Sequence, residues 1–506
     1  MTQTRTNQIK WGQPAKLQSY KGEIIGIVNN KIVKKSFGQE GIVIYLCNRE
    51  LLNVELKFAL NRFYKYEGKK LTLGDIIILD NKLCGIYIDD HKTKETKYYL
   101  ASYKGLGEVS KLILLGSMDN RGPIIPPLAG LKRSQRLKGK FSINTFTYYL
   151  SEDGKKLLAM YMVSPSDNSS YYNYKAILVG RDVEIISEQS VKYPVNTVQD
   201  VMVTDDGKLI ILSYDYDFSK EYAYEYLNTG IVKYVHINRK FFVNVYDSMN
   251  GIHYKREIEI EDRFVDEVKV KILNGAFLVY GLSSITENEA ATGYFLINFE
   301  LEDGSVNFVT LNDFEQGLIG KYARRNKIKR FRNDIILQEL LVKDNGEMVF
   351  FGEKLWYEKS EDEPNSNFYK SYYEDILVMN FDLSGEADYF GIIKKIQYQK
   401  EIGTRSFAAY CINNQVKIVY NIIESDESSV GFETDNAYEK AMKNIITVRV
   451  NMDGSNKEII YDRSKNVGRR VPRIEYASVY EGQLYFQSLL DLYTSKSRFS
   501  IGRVNR

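Results

Sequence analysis

The sequence contains little of what metal sites, disulfide frameworks and membrane helices require. Its 506 residues include three Cys, three His, two Trp and eight Pro. Cys47, Cys84 and Cys411 are odd in number and far apart, so they provide neither a disulfide framework nor paired metal-ligand spacing, and we expect buried thiols. No apolar run reaches the roughly 18 residues of a membrane-spanning helix. We therefore expect no catalytic metal, no cofactor and no membrane span.

Residues that could carry hydrolytic chemistry are few and isolated. His91, His236 and His253 have no short metal-ligand spacing, and we interpret them as structural or solvated histidines. The motif G-x-S-x-G is absent, which excludes a serine hydrolase of that pattern. Asp215 and Asp217 share one face of a predicted strand, but no calcium-loop pattern accompanies them. We expect this pair to be a solvated strand end.

The charge balance narrows the classes of partner. Sixty-nine Lys and Arg against 66 Asp and Glu leave a net charge of +3, too balanced for a protein that coats nucleic acid. Any charged partner must therefore meet a local patch. The polar start, MTQTRTNQ, lacks the apolar pattern that we expect of a signal peptide. We expect a periplasmic or cell-envelope location if a signal has been removed and a cytoplasmic one otherwise.

Aromatic residues are abundant and point to strands. The chain contains 40 Tyr and 24 Phe, and such aromatic and β-branched richness favours an all-β fold. Similar segments begin at Phe141, Asn196 and Arg332, each an alternating apolar run, a polar turn ending in Gly, and a second apolar run. This is the pattern of a β-hairpin.

Two families of hairpins alternate along the chain. Eight first hairpins turn at Asn30, Asn81, Gly154, Gly207, Gly275, Gly346, Asn414 and Gly482, with spacings of 51 to 73 residues. Seven second hairpins turn at Asn48, Gly105, Gly180, Gly251, Gly304, Gly385 and Gly454. Two hairpins per period give four strands, which is the blade of a β-propeller.

The two ends of the chain are expected to complete the eighth blade. After the Gly482 hairpin one strand remains, RFSIGRVN from Arg498, while a strand-like segment begins at Gln8. We predict a single propeller domain over residues 1–506, in which a strand at about 8–17 pairs with a blade at about 473–506. Seven blades remain an alternative. A pair of four-bladed units or two separate sandwiches also remain open, although no Gly, Ser or Pro-rich linker divides the chain.

Three turns resemble those of known propeller repeats. SEDGKK from Ser151, TDDGKL from Thr204 and KDNGEM from Lys343 are similar to the S-P-D-G-K-x-L turn of Tol-associated and WD-like propellers, with Glu, Asp and Asp in place of the usual Pro. The opening QIKWGQPAKL and the richness in Tyr, Asn, Lys and Ile resemble envelope propellers of the Bacteroidota. The resemblance implies a propeller fold and no particular activity.

Basic clusters recur where one predicted blade connects to the next. Strand polarity places these connections opposite the Asp-Gly turns, near the mouth of the central channel. The candidate partner-binding residues are Lys132, Arg133, Arg136, Arg324, Arg325, Arg330, Arg469, Arg470 and Arg473. Lysines expected on the opposite face are Lys111, Lys155 and Lys208. Acidic loops beginning at Lys359 and Ile423 offer an alternative, in which the basic clusters are neutralised within the chain.

The sequence favours a non-enzymatic protein-interaction platform. We expect a subunit of a bacterial cell-envelope assembly, whose cations bind an acidic segment of a protein partner or an anionic glycan. A glycan-binding propeller, or a carbohydrate-active hydrolase or lyase whose carboxylates come from different blades, is the alternative.

Overall fold

The computed structural model is built almost entirely of antiparallel strands. It describes residues 9–11, 13, 15–16, 22–38, 41–89, 95–105, 107–119, 146–165, 171–194, 198–216, 223–226, 232–235, 239–247, 251–260, 263–273, 275–285, 291–314, 331–359, 369–393, 397–399, 407–422, 444–450, 457–462, 470–480, 483–490 and 498–504.

The strands are numbered in chain order, and those of one sheet form one blade. Blade 1 contains β3 (Gly22–Val28), β4 (Lys31–Gly38), β5 (Gly41–Asn48) and β6 (Val54–Asn61). Blade 2 contains β7 (Phe63–Tyr66), β8 (Lys69–Leu79), β9 (Lys82–Asp89), β10 (Glu95–Lys104) and β11 (Glu108–Asp119). Blade 3 contains β12 (Phe146–Leu150), β13 (Leu157–Pro165), β14 (Tyr171–Gly180) and β15 (Glu184–Pro194). Blade 4 contains β16 (Val198–Val203), β17 (Leu209–Tyr216), β20 (Arg239–Asp247) and β21 (Gly251–Ile258). Blade 5 contains β22 (Phe264–Leu273), β23 (Ala276–Ser284), β24 (Gly293–Glu300) and β25 (Val306–Asp313). Blade 6 contains β26 (Phe331–Val342), β27 (Met348–Lys359), β28 (Tyr369–Phe381), β29 (Ala387–Ile393) and β30 (Gln397–Gln399). Blade 7 contains β31 (Phe407–Ile412), β32 (Gln415–Ile422), β33 (Asn444–Val450) and β34 (Lys457–Asp462). Blade 8 contains β35 (Arg470–Tyr480), β36 (Gln483–Leu490), β37 (Arg498–Val504), β1 (Ile9–Trp11) and β2 (Ala15–Lys16).

Burial along the strands follows their position in a blade. The second strand of blade 5, β23, is buried at every residue because neighbouring blades cover both of its faces. The outer strand of blade 1, β6, alternates between exposed and covered residues, since only one of its faces packs inward. The continuous and the alternating apolar runs of the sequence correspond to these two positions.

The two ends of the chain meet in blade 8. Ile9 of β1 pairs antiparallel with Val504 of β37, and Ala15 of β2 pairs with Phe499 of the same strand. Three strands from the C-terminal part and two short N-terminal strands, β1 and β2, therefore complete this sheet. The predicted fold class, an all-β propeller in which the chain ends complete one blade, is confirmed.

Apolar clusters lie between consecutive sheets and close into a ring. The described residues form eight sheets of four or more strands and eight such clusters, each joining one sheet to the next. One cluster joins the last sheet to the first, where the rings of Tyr45 and Phe499 pack edge to face with centroids 4.9 Å apart. The ring of sheets is held together by side chains at every joint.

The first hairpins turn where the sequence predicts. Asn30, Asn81 and Asn414 each have φ 60°, as the primed turns of tight hairpins require. The backbone N–H of Asp80 donates to the carbonyl of Gly154 at 2.9 Å, so the turns of blades 2 and 3 lie side by side. The hairpin turns thus define one face of the disc, called the turn face below, and the opposite face is called the connection face.

Some described elements were not predicted from the sequence. β7 adds a fifth strand to blade 2, β30 pairs with β28 of blade 6, and β18 (Ala223–Tyr226) forms a separate hairpin with β19 (Val232–Val235). A single 3₁₀ turn, Arg181–Val183, joins β14 to β15.

Candidate functional site

Most of the predicted partner-binding cations lie outside the described residues. These are Lys132, Arg133, Arg136, Arg324, Arg325, Arg330 and Arg469. Arg470 and Arg473 lie on β35, the first strand of the closing blade, where their backbones pair with Leu490 and Gln487 of β36. This register puts both residues in the half of β35 that is remote from the β35–β36 turn, towards the connection face.

One lysine expected on the turn face is not a free surface cation. The side chain of Lys208 is only 11% exposed, and its ammonium group contacts Glu302 at 2.6 Å and Asp206 at 3.5 Å. Lys155 and Lys111 are more exposed, although Lys111 donates to the carbonyl of Asp182 at 3.0 Å. Lys208 is therefore unsuitable as a control for charge reversal on the turn face, because it forms ion pairs and is largely buried.

A buried carboxylate on the innermost strand of blade 2 joins three blades. The register of β8 shifts before Asp75, and the carboxylate accepts the Ile76 N–H at 2.7 Å. It also accepts the ammonium group of Lys35 at 2.6 Å and the hydroxyl of Tyr148 at 2.6 Å. Lys35 belongs to blade 1, Asp75 to blade 2 and Tyr148 to blade 3. Asp75 is thus a structural joint whose two oxygens are occupied by donors of the chain.

The charges in this joint stabilise one another. Glu23 of β3 contacts the same Lys35 ammonium group at 2.9 Å. Burial alone would lower the pKa of Lys35, but the neighbouring carboxylates of Asp75 and Glu23 raise it above its usual value. Burial, with the charge of Asp75 beside it, raises the pKa of Tyr148 well above the usual value. The lysine therefore stays charged and the tyrosine stays a hydrogen-bond donor over the physiological pH range.

Other innermost strands are linked in a similar way. Asp200 of β16, which also follows a register shift, accepts the N–H groups of Val201 at 3.1 Å and Val270 at 3.2 Å. Val270 lies on β22, so this carboxylate joins blade 4 to blade 5. Lys269 of β22 donates to the carbonyls of Leu337 and Gln338, both at 2.7 Å, and joins blade 5 to blade 6. Polar side chains near the channel therefore fasten the blades together.

The β7–β8 hairpin is an exposed element on the connection face. β7 pairs with β8 on the edge opposite β9, which is the channel edge of the innermost strand. The two pairings overlap at Thr72, which lies opposite Phe63 of β7 and Ile88 of β9. Because β8 runs from this end towards the turn face, the tip of the hairpin at Glu67 and Gly68 projects from the connection face.

The two faces of this hairpin differ in character. Tyr64 and Tyr66 face the sheet, where they pack against the rings of Tyr87 and Tyr99 with centroids 5.7 Å and 6.2 Å apart. Phe63 alternates with them and is 44% exposed. Because Tyr64 and Tyr66 pack against the sheet, the opposite face of the hairpin points towards solvent.

Cations surround the exposed aromatic ring. The ammonium group of Lys70 lies 3.5 Å from the centroid of the Phe63 ring, and the guanidinium carbon of Arg62 lies 5.5 Å from it. Lys65 lies directly opposite Lys70 across the hairpin. The sequence analysis missed this element, although the Glu67–Gly68 turn between alternating aromatic and basic residues could have revealed it.

The three thiols differ in burial. Cys47 and Cys84 are buried, and burial raises the pKa of each thiol to about 12. Cys411 is only partly buried, contrary to the expectation for all three thiols, because its strand β31 ends one residue later. Burial raises the pKa of Cys411 as well.

The remaining candidates for chemistry lie partly outside the described residues. His91, His236 and Asp217 lie outside the described residues, whereas His253 lies on β21 and Asp215 on β17. Among the residues that the structure describes, no group of three or more His, Cys, Asp and Glu side chains is arranged to hold a metal ion. No helix in that same part of the chain is long and apolar enough to cross a membrane.

Comparisons with known proteins find similarity in structure only. No family model and no curated protein matches the chain. The Dos1 propeller is 10% identical, with 97% of this chain and 94% of that chain covered and a TM-score of 0.46. The polysaccharide lyase Uly1 is 10% identical, with 87% and 94% covered and a TM-score of 0.38. The β-propeller domain of the Trilobed protease from Pyrococcus furiosus is 10% identical, with 90% and 99% covered and a TM-score of 0.35.

These likenesses carry no conclusion about activity. The propeller fold of this chain rests on its own sheets and on the apolar clusters between them.

Proposed function

We propose that the chain is a non-enzymatic protein-interaction platform and a subunit of a bacterial cell-envelope assembly. The observation that carries the proposal is the joint at Asp75, where Lys35 and Tyr148 from two other blades occupy both carboxylate oxygens. Such contacts use polar groups from different blades to hold a rigid disc, and a rigid disc displays loops and hairpins at fixed positions. The propeller fold is compatible with this role.

The connection face is the proposed binding face. Arg470 and Arg473 lie on the connection side of β35, and the β7–β8 hairpin projects from the same face of blade 2. Arginine grips carboxylates with two parallel hydrogen bonds, so a cationic face favours a partner with an acidic segment.

The test compares partner capture by charge-reversed variants. The native partner is first identified by crosslinking in the source cells, followed by purification and mass spectrometry. The variant Arg325→Glu, Arg330→Glu, Arg470→Glu should lose capture of that protein while its melting temperature stays within a few degrees, since surface charges contribute roughly 0 to 1 kcal/mol each. The control Lys104→Glu, Lys155→Glu, Lys255→Glu, built on exposed lysines remote from the connection face, should capture it as well as the wild type.

Two outcomes would contradict the proposal. Equal capture by both triple variants would show that the basic clusters are neutralised within the chain. Turnover of a polysaccharide by the purified protein would favour the carbohydrate-active alternative.

The envelope location has its own test. Its support is the resemblance of the opening segment and of the composition to envelope propellers. Fractionation of the source cells after osmotic shock should release the protein with periplasmic markers or leave it in the envelope fraction, and recovery with the cytoplasmic markers would contradict this part of the proposal.

A further inference from the structure

The β7–β8 hairpin carries two lysines in an unfavourable position. Lys65 and Lys70 are directly opposite each other on the outward face, and both side chains are exposed. Like charges that face each other across an antiparallel pair destabilise it. If folding were the only requirement, a carboxylate at one of these two positions would make the hairpin more stable.

Within the part of the chain that the structure describes, no carboxylate forms an ion pair with the cations of this face, Arg62, Lys65 and Lys70. Lys69 contacts Asp89 at 3.6 Å, but it lies opposite Tyr66 on the other side of the strand. The outward face is therefore complementary to an anion.

We propose that this outward face binds an extended acidic segment of a protein partner, whose carboxylates contact Arg62, Lys65 and Lys70. The inference rests on the proposed function, because it assigns the acidic segment to one place on the connection face. The Lys70 ammonium group and the Arg62 guanidinium group both lie over the ring of Phe63. A sugar that stacked on this ring would compete with these two cations for its faces.

The backbone of the hairpin supports an extended partner. β7 is the edge strand of its sheet within the described part of the chain. An extended peptide can add to such an edge through main-chain hydrogen bonds, while its alternating side chains reach the outward face. Lysine on an edge strand also discourages aggregation, so a purely protective role of Lys65 must be distinguished by experiment.

The experiment measures binding of a fluorescein-labelled peptide of alternating Glu and Val by fluorescence anisotropy. The full chain should bind it at low salt and bind more weakly as salt increases. The variant Lys65→Glu, Lys70→Glu should lose roughly tenfold or more in affinity, since two of the three cations of the face become anions. The control Lys104→Glu, Lys255→Glu has the same change in net charge and breaks a matching contact, because Lys255 lies 3.9 Å from the centroid of the Phe242 ring. The control should stay within about twofold of the wild type.

A second variant separates binding from folding. Lys65→Gln, Lys70→Gln removes the repulsion, so it should melt at the same or a higher temperature than the wild type while binding the peptide more weakly. A melting temperature well below that of the wild type, or unchanged peptide affinity, would overturn the inference. Unchanged affinity together with self-association of the charge-reversed variant would show that the lysines only protect the edge.

Further binding measurements distinguish failure of the inference from failure of the proposed function. If the peptide loses affinity for Arg325→Glu, Arg330→Glu, Arg470→Glu but not for the hairpin variant, the hairpin is wrong and the platform stands. If the peptide does not bind the wild type, the inference fails, and partner capture decides the platform separately. Tighter binding of oligogalacturonate, duplex DNA or phosphatidylserine vesicles than of the peptide would overturn the choice of an acidic protein segment.

Discussion

The ammonium nitrogen of Lys34 lies 4.3 Å from the centroid of the Phe499 ring and 5.1 Å from that of Tyr45. The side chain is fully buried, and its nitrogen has no hydrogen-bond partner in the described structure. Lys34 belongs to blade 1 and Phe499 to the closing strand β37. A buried lysine beside two aromatic rings therefore lies at the joint that completes the disc. Burial lowers the pKa of this lysine to about 8.

Replacement of Lys34 by Met should stabilise the protein near neutral pH. Burial disfavours the charged form, so the folded state holds a proton less tightly than the unfolded chain, whose lysine has an ordinary pKa near 10.5. The free-energy cost of burying the charged lysine is fully present below pH 8, where it lowers stability by roughly 3 kcal/mol. This cost becomes smaller as the pH rises towards 10.5.

Urea unfolding at several pH values checks this prediction. The free energy of unfolding of Lys34→Met should exceed that of the wild type most at pH 7, with the difference narrowing above pH 8. The control Lys255→Met removes an exposed lysine from an aromatic ring and should change stability little. A destabilised Lys34→Met protein would mean that the contacts with the rings outweigh the cost of burying the charge.

Replacement of Asp75 by Asn should destabilise the disc by about 3 kcal/mol, because it leaves the buried ammonium group of Lys35 with Glu23 as its remaining carboxylate partner. The double variant Lys35→Met, Asp75→Leu removes both charges and should recover part of that loss. Thermal and urea unfolding of the three proteins provide the measurement. A double variant no more stable than Asp75→Asn would contradict the prediction.

Deletion of residues 1–17 should weaken the closure of the ring. It removes β1 and β2, exposes the edge of β37, and breaks the contact of the Gln13 N–H with the Asn53 side chain at 2.8 Å. Loss of these backbone hydrogen bonds costs roughly 3 to 5 kcal/mol and leaves an edge that favours aggregation. Scanning calorimetry and light scattering test this, with deletion of residues 1–8 as the control. A truncated chain that melts like the full chain would contradict the prediction.

Thiol labelling should follow burial. At pH 8 the folded protein should react with a thiol reagent first at Cys411, while Cys47 and Cys84, with pKa values near 12, should react only after unfolding. Mass spectrometry of the labelled peptides identifies each site. Rapid labelling of Cys47 in the folded chain would show that blade 1 opens, and stoichiometric zinc by elemental analysis would contradict the expectation that the chain holds no catalytic metal.

Local pattern was sufficient to predict the repeating unit of this protein. The turns at Asn30, Asn81 and Gly154 lie where the sequence places them, because a tight hairpin needs residues that tolerate positive φ and because apolar alternation records which side of a strand is covered. The count of hairpins also showed that each end of the chain has one strand that belongs to no hairpin. Pairing of Ile9 with Val504 then follows from the cost of an open sheet edge.

Tertiary structure alone decided which polar residues are available for binding. Lys208 and Lys155 follow similar turns in the sequence, yet one is buried against Glu302 and the other is exposed. Lys35 and Asp75 are 40 residues apart and come together only because two blades pack side by side. No strand pattern encodes such a partner, since the free energy of a buried charge depends on groups that the chain brings from other blades.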